Sequence, residues 1–132
     1  MPIMTLSEIE TLCRDALLNV GASQEQADIV AAEIADAEAE GIRNVGLGYM
    51  HLYLKHLKVE KVKPHAAPKI VKTSAASTVI DADFGFCHHA YMVGEARLIE
   101  TAKEQGVGLM SIHQSSSAGV LGWFVRRLAK RS

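Results

Sequence analysis

The sequence predicts an α/β (α+β) fold in which an N-terminal helical hairpin and a third helix precede a small β-β-α-β-α unit with an incomplete sheet. Three observations predict it. Apolar residues recur at helical spacing through the first part of the chain, short β-type runs begin after Pro68, and Val107 to Phe124, VGLMSIHQSSSAGVLGWF, reads as strand, polar loop and helix start. The change of period divides the chain into a helical region, residues 1–63, and the start of an α/β region, residues 64–132.

The first helix is predicted from about Leu6 to Val20. Thr5 with Glu8, or Ser7 with Glu10, supplies a capping box, Ile9, Leu12, Cys13, Ala16, Leu17 and Val20 form one apolar stripe, and Gly21 stops it. Ser23 with Gln26 opens a second helix, where Ala27, Val30, Ala31, Ile34 and Ala37 or Glu38 repeat the spacing as far as Gly41. Its many alanines let a partner helix approach closely, within the chain or between two subunits. The segment GIRNVGLG, Gly41 to Gly48, interrupts the pattern with three glycines. A third helix follows from about Leu47 to Lys58, with Leu47, Met50, Tyr53, Leu54 and Leu57 on one face, lysines at its exit and Pro64 closing it.

Lys69 to Thr73 and Ser77 to Ile80 read as strands joined through Ser74, Ala75 and Ala76, most simply an antiparallel pair. Asp81, Asp83 and Gly85 form a turn through side-chain to backbone bonds. A helix from about Ala90 to Gln105 is expected to carry Met92, Val93, Ala96, Ile99 and Ala102 inward, and Gly106 ends it. The last strand, Val107 to Ile112, then feeds a helix over Val120 to Leu128. So small a sheet needs more strands, or a partner, to cover its apolar faces.

Composition bounds the function classes. Hydrophobic residues at 48% and charged residues at 22% describe an ordinary globular chain and argue against disorder. Fourteen Lys and Arg against fifteen Asp and Glu leave a net charge of −1, so nothing electrostatic favours nucleic acid or an anionic membrane as partner. The basic cluster Arg126, Arg127, Lys130 and Arg131 suits a helix end that complements its dipole. No apolar run approaches a membrane span, no leader precedes Thr5, and Cys13 and Cys87 form no CxxC pair, which predicts a cytoplasmic chain with reduced thiols.

The junction at 107–124 is the place where a ligand is expected. Gln114 to Ser117 are polar, and a helix N-terminus offers backbone N–H groups to an anion such as phosphate or carboxylate. No GxGxxG or Walker lysine accompanies it, and many such junctions bind nothing. Cys87, His88 and His89, with His113 at the strand end, are the densest metal-ligand types, but adjacent histidines diverge and make a poor chelate, so no metal site is predicted. Ser115 to Ser117 lack the GxSxG elbow of a serine hydrolase.

The ordered segments resemble one family, the malate/L-lactate dehydrogenases of the non-Rossmann type. The resemblance runs through the acidic A-x-x-x-G-I stretch at Ala37 to Ile42, the Tyr53-Leu54 element, the P-x-I-V run at Pro68 to Val71 and the V-I-D turn at Val79 to Asp81. It continues through A-K-E-Q-G-V-G at Ala102 to Gly108 and S-x-x-x-G-x-x-G at Ser115 to Gly122, followed by Trp123 and Phe124. The resemblance implies hydride transfer between NAD or NADP and a small 2-oxo or 2-hydroxy acid, with Ser115, Ser117, Gly119 and Gly122 near the cofactor. It also implies the N-terminal portion of a longer protein, a truncated or split member that forms a homodimer or pairs with a missing C-terminal part.

The chain departs from its relatives where they commonly carry acid/base groups. Val45 stands in place of the family's first histidine, Tyr49 where an arginine for the substrate carboxylate is expected, and Ser117 in place of the second histidine. Tyr49, His51 and Tyr53 are the nearby substitutes, although a tyrosine near its ordinary pKa of about 10 is a poor acid at neutral pH. Two other readings compete: a non-catalytic helical interaction remnant, favoured by Val45 and the alanine-rich second helix, and a generic anion-binding α/β domain.

Overall fold

The computed structural model describes residues 2–131, and its elements follow the predicted order. Helix α1, Leu6–Asn19, begins with the Thr5/Glu8 capping box: the Thr5 hydroxyl accepts from the Glu8 N–H at 3.2 Å, and the Glu8 carboxylate accepts from the Thr5 N–H at 2.7 Å. Ser23 caps α2, Gln24–Ala39, by accepting from the Gln26 N–H. Arg14 braces the hairpin, reaching Glu10 on its own helix and Asp28 on α2, each at 2.7 Å. A turn of 3-10 helix, Leu47–Tyr49, leads into α3, Met50–Lys58.

The main core lies among these helices. Ile9, Cys13 and Leu17 meet Val30, Ala31 and Ile34, and Tyr53, Leu57 and Phe86 close the far side. Burial drives this association, each large side chain contributing roughly 1.5–3 kcal/mol. Gln26 also lies within the buried face of α2. Its amide donates to the Lys63 and Pro64 carbonyls at 3.0 and 2.9 Å and its oxygen accepts from the Phe86 N–H at 2.9 Å, so one wholly buried side chain satisfies three backbone groups and ties the helices to the sheet region.

Strands β1, Lys69–Thr73, and β2, Ser77–Asp81, pair antiparallel with a register shift between Ile70 and Lys72, while β3, Leu109–His113, lies parallel to β2. The order β1-β2-β3 leaves an open three-stranded sheet. Helix α4, Cys87–Gln105, covers one face, packing Ala90 against Ile80 and Ala82 with Met110 and Ile112 alongside. Gly94 permits that approach, since a Cβ there would meet the Ile80 Cδ1 at 2.2 Å. The Asp81 and Asp83 turn forms as expected: Asp81 accepts from the Asp83 N–H at 2.8 Å, and Asp83 holds the Lys63 ammonium and the Ala67 N–H.

The inward face expected for α4 is overturned. Met92, Val93, Ala96 and Ala102 are exposed and Ile99 is only half-buried, while His88, Ala90, Tyr91, Gly94, Glu95 and Thr101 are buried. The physical reason lies in partners that helical spacing does not reveal: Gly94 lets the sheet come close, and Glu95 is neutralised by arginines of α5, Leu121–Arg131. The helix also starts three residues earlier than expected, at Cys87, which puts His88 on its buried side. Among the described residues no helix is long and apolar enough to cross a membrane.

Candidate functional site

The loop between β3 and α5 is anchored through the backbone of Ser116. The Ser116 N–H donates to the Gly85 carbonyl at 2.9 Å and the Ser116 carbonyl accepts from the Cys87 N–H at 3.0 Å, which lays the loop beside the entry to α4. Gln114 and Ser117 hold φ values of 52° and 53°, left-handed conformations that L residues seldom adopt unless surroundings impose them.

Three helices bear on the loop from Ser117 onward. From α3, Tyr53 accepts a hydrogen bond from the Ser117 hydroxyl at 3.3 Å. From α4, His88 lies against the Ala118 backbone. From α2, Glu33 accepts from the Val120 N–H at 2.8 Å and presses so closely on Gly119 that a Cβ there would lie 2.5 Å from its Oε1. Gly119, at φ +59°, is thus required both by its conformation and by this contact.

Glu33, His88 and Tyr53 are each wholly buried. Burial raises Glu33 to about 7; the Val120 N–H and Arg126 work against that rise, and Asp36 and Glu40 add to it. Burial lowers His88 to about 4, opposed by the Ala118 backbone. Burial pushes Tyr53 far above the usual phenol range, so it is a neutral hydroxyl and a very weak acid. The His88 Nε2 lies 3.8 Å from the Glu33 Oε2, and neither atom makes a well-formed hydrogen bond among the described residues. Phe124 stacks on the His88 ring and Trp123 meets it edge-on, both at 5.5 Å.

The Val120 N–H just before α5 is not free for an external anion, because the Glu33 carboxyl already accepts from it. The candidate cofactor residues differ in their surroundings: Ser115 is exposed, the Ser117 hydroxyl is engaged by Tyr53, Gly119 is pressed by Glu33, and Gly122 is half-buried with room for a Cβ at ordinary van der Waals distance. Of the candidate catalytic residues, Tyr49 packs edge-on to Tyr53 at 4.9 Å and so connects with the loop. His51 is exposed on α3, and no hydrogen bond, ion pair or ring contact joins it to the loop among the described residues.

Glu33 and Glu95 are the residues that reading the sequence missed. A signal for Glu33 was present, since it falls at helical spacing among Gln26, Val30 and Ala37 on the face of α2 that is otherwise apolar or capped. At the GIRNVGLG segment, Glu38 accepts from the Leu47 N–H at 2.7 Å, and a cleft of about 550 Å³ is lined by Met4, Leu6, Glu38, Arg43 and Leu47.

The profile of the malate/L-lactate dehydrogenase family matches residues 4–132. The Delta(1)-pyrroline-2-carboxylate reductase of Ancylobacter novellus is 34% identical over 110 residues, covering 83% of this chain and 32% of that protein. The (2R)-3-sulfolactate dehydrogenase (NADP(+)) of Chromohalobacter salexigens is 33% identical over 128 residues, covering 97% of this chain and 38% of its own length. The crystal structure of delta1-piperideine-2-carboxylate reductase from Pseudomonas syringae pvar. tomato superposes with a TM-score of 0.94 at 27% identity, over 99% of this chain and 40% of that one. The chain thus spans about a third of the length of the curated relatives it matches.

Proposed function

Since this chain belongs to the malate/L-lactate dehydrogenase family, we propose that it is the N-terminal portion of an NAD(P)-dependent oxidoreductase acting on a small 2-oxo or 2-hydroxy acid, or on a cyclic imino acid. The single observation that carries this reading is the family match over residues 4–132, with relatives named as reductases and dehydrogenases of such acids. In this reading the exposed Ser115 hydroxyl and the 115–122 backbone lie near an uncharged part of the nicotinamide cofactor. That group supplies or accepts the hydride. The Val120 amide is not available to its phosphates, because Glu33 already occupies it. Arg43, which lines the cleft beside Leu47, is the cation available to a substrate carboxylate, a role Tyr49 cannot take. Val45 exchanges no proton, so the proton for the reacting oxygen comes from another group, with Tyr49 as the candidate connected to the loop.

The test is oxidation of NADH or NADPH by the purified chain with pyruvate, oxaloacetate, 3-sulfopyruvate and a cyclic imino acid, alongside a cofactor titration followed by Trp123 fluorescence. Saturable turnover with one of these acids supports the reading, and Arg43→Ala then raises KM for the acid. A chain that neither turns over nor binds either cofactor overturns it for this polypeptide.

A second reading is favoured by a specific observation, the outward apolar face of α4. With Met92 and Val93 exposed, the chain serves as an interaction module that self-associates or receives a separately made remainder of the fold. Light scattering discriminates: a dimer indifferent to both cofactors supports this second reading, whereas a monomer that binds them contradicts it.

A further inference from the structure

Successive residues of the loop, Ser117 to Val120, each lie against an ionisable side chain that is wholly buried, and those side chains come from three different helices. Tyr53 holds Ser117 from α3, His88 meets Ala118 from α4, and Glu33 takes Gly119 and Val120 from α2. Only the Glu33 contact fixes the loop backbone by a well-formed hydrogen bond to a main-chain N–H. Among the described residues no lysine or arginine pairs with that carboxyl group, although Arg126 favours its charged form from farther off. The basic group within 4 Å is His88, itself buried, and Arg126 of α5 is paired with Glu40 at the surface. The remaining charged or titratable groups around it are Tyr53, which is neutral, and Asp36 and Glu40 of its own helix, which repel an anion.

An unpaired charge in such a place is costly, so the closed arrangement requires the neutral acid. In that form Oε1 accepts from Val120, and Oε2, which lies 3.8 Å from the unpartnered His88 Nε2, can carry the proton. Losing the proton to solvent leaves an anion that the Val120 N–H favours but that burial disfavours more, so it draws water or turns outward. Either movement pulls on the Val120 N–H and on the first turn of α5.

We propose that Glu33 positions the 117–120 loop as a neutral acid, so that loss of its proton releases the loop and the start of α5. The latch belongs to the same loop that the proposed function assigns to the cofactor, but it does not rest on that assignment, because it is measured without nucleotide.

The single tryptophan, Trp123, follows the latch directly and touches His88. Its emission is recorded from about pH 5 to pH 9 in the full chain and in Glu33→Gln, and Val120 amide exchange is followed over the same range. Wild type should show a fluorescence transition with a midpoint near 7, and protection of the Val120 amide, corrected for intrinsic exchange, should fall on the order of tenfold across it. Glu33→Gln keeps an acceptor for Val120 and carries no charge, so it should abolish the transition and stay in the closed form throughout. Glu33→Ala should leave the amide poorly protected at every pH. The proposal is overturned by an unchanged transition in Glu33→Gln, or by a wild-type loop that stays protected across the range. If the glutamine variant does not fold, wild-type exchange alone decides: Val120 must lose protection while amides of the α1 and α2 core keep theirs.

Discussion

Gly119 and Glu33 are in close contact. Replacing Gly119 by alanine places a Cβ 2.5 Å from the Glu33 carboxylate at a φ of +59°, and the expected loss is about 1–3 kcal/mol by urea denaturation. Glu33 and His88 also oppose one another in their dependence on pH. Glu33 is raised to about 7 from an unfolded value near 4.3, so its contribution to stability is fully present below that value and is lost as pH rises through 7. His88 is lowered to about 4 from about 6.5, so its contribution is present above 6.5 and is lost as pH falls through 4. Between roughly pH 4.5 and 6.5 the two slopes, each about 1.4 kcal/mol per pH unit at most, act against each other. Relative to wild type, Glu33→Gln should gain stability as pH rises through that window and His88→Gln should lose it. Denaturation curves at both ends of the window check the signs.

At the scale of elements, α5 is fastened by charge as much as by burial. Glu95 of α4, almost wholly buried, receives both Arg127 nitrogens at 2.9 Å and Arg131 at 2.8 Å. Burial by itself raises this carboxyl, but the hydrogen bonds and charge of Arg127, with Arg131 and Tyr91, outweigh it and hold it below the ordinary carboxylate range. Arg127 also lies 4.9 Å above the centre of the Trp123 ring. Arg127→Ala leaves a buried carboxylate with only Arg131 beside it and should cost about 3 kcal/mol, accompanied by a red shift of Trp123 emission as α5 loosens. This clamp also explains why α4 turns away from the face its sequence suggests. Met92, Val93 and Ala96 form an acceptable helical stripe, but Gly94 and Glu95 have the better partners, and a helix can bury only one of two competing faces.

For the whole molecule, apolar surface faces outward on more than one element. Met92 and Val93 of α4, Leu109 on β3 and Ile70 and Val71 on β1 are all exposed, on elements that form one open sheet and its covering helix. Such surfaces mark contacts with other polypeptide. The purified chain should therefore self-associate in a concentration-dependent manner, and Met92→Glu with Val93→Glu should shift it toward monomer by light scattering. A wild-type chain that is monomeric at high micromolar concentration would contradict this expectation.

The order of the elements was legible because it depends on local chemistry. The Thr5/Glu8 box, the Ser23 cap, the breaks at Gly21 and Gly106 and the change of period after Pro68 each act within a few residues of themselves. Chain order also carried the family resemblance, which the profile match over residues 4–132 bears out. The burial of Glu33, His88 and Glu95 was not legible in the same way. Their partners are Val120, Ala118 and Arg127, far along the chain, and only packing brings each pair together.

By itself, then, the sequence determined which segments are helix, strand or turn, and which family they descend from, since both are written in short-range pattern and order. Tertiary structure alone decided which face of α4 is covered and which group takes the Val120 N–H before α5. A buried charge or amide is settled by whatever group arrives from another element, and no spacing along the chain encodes that meeting.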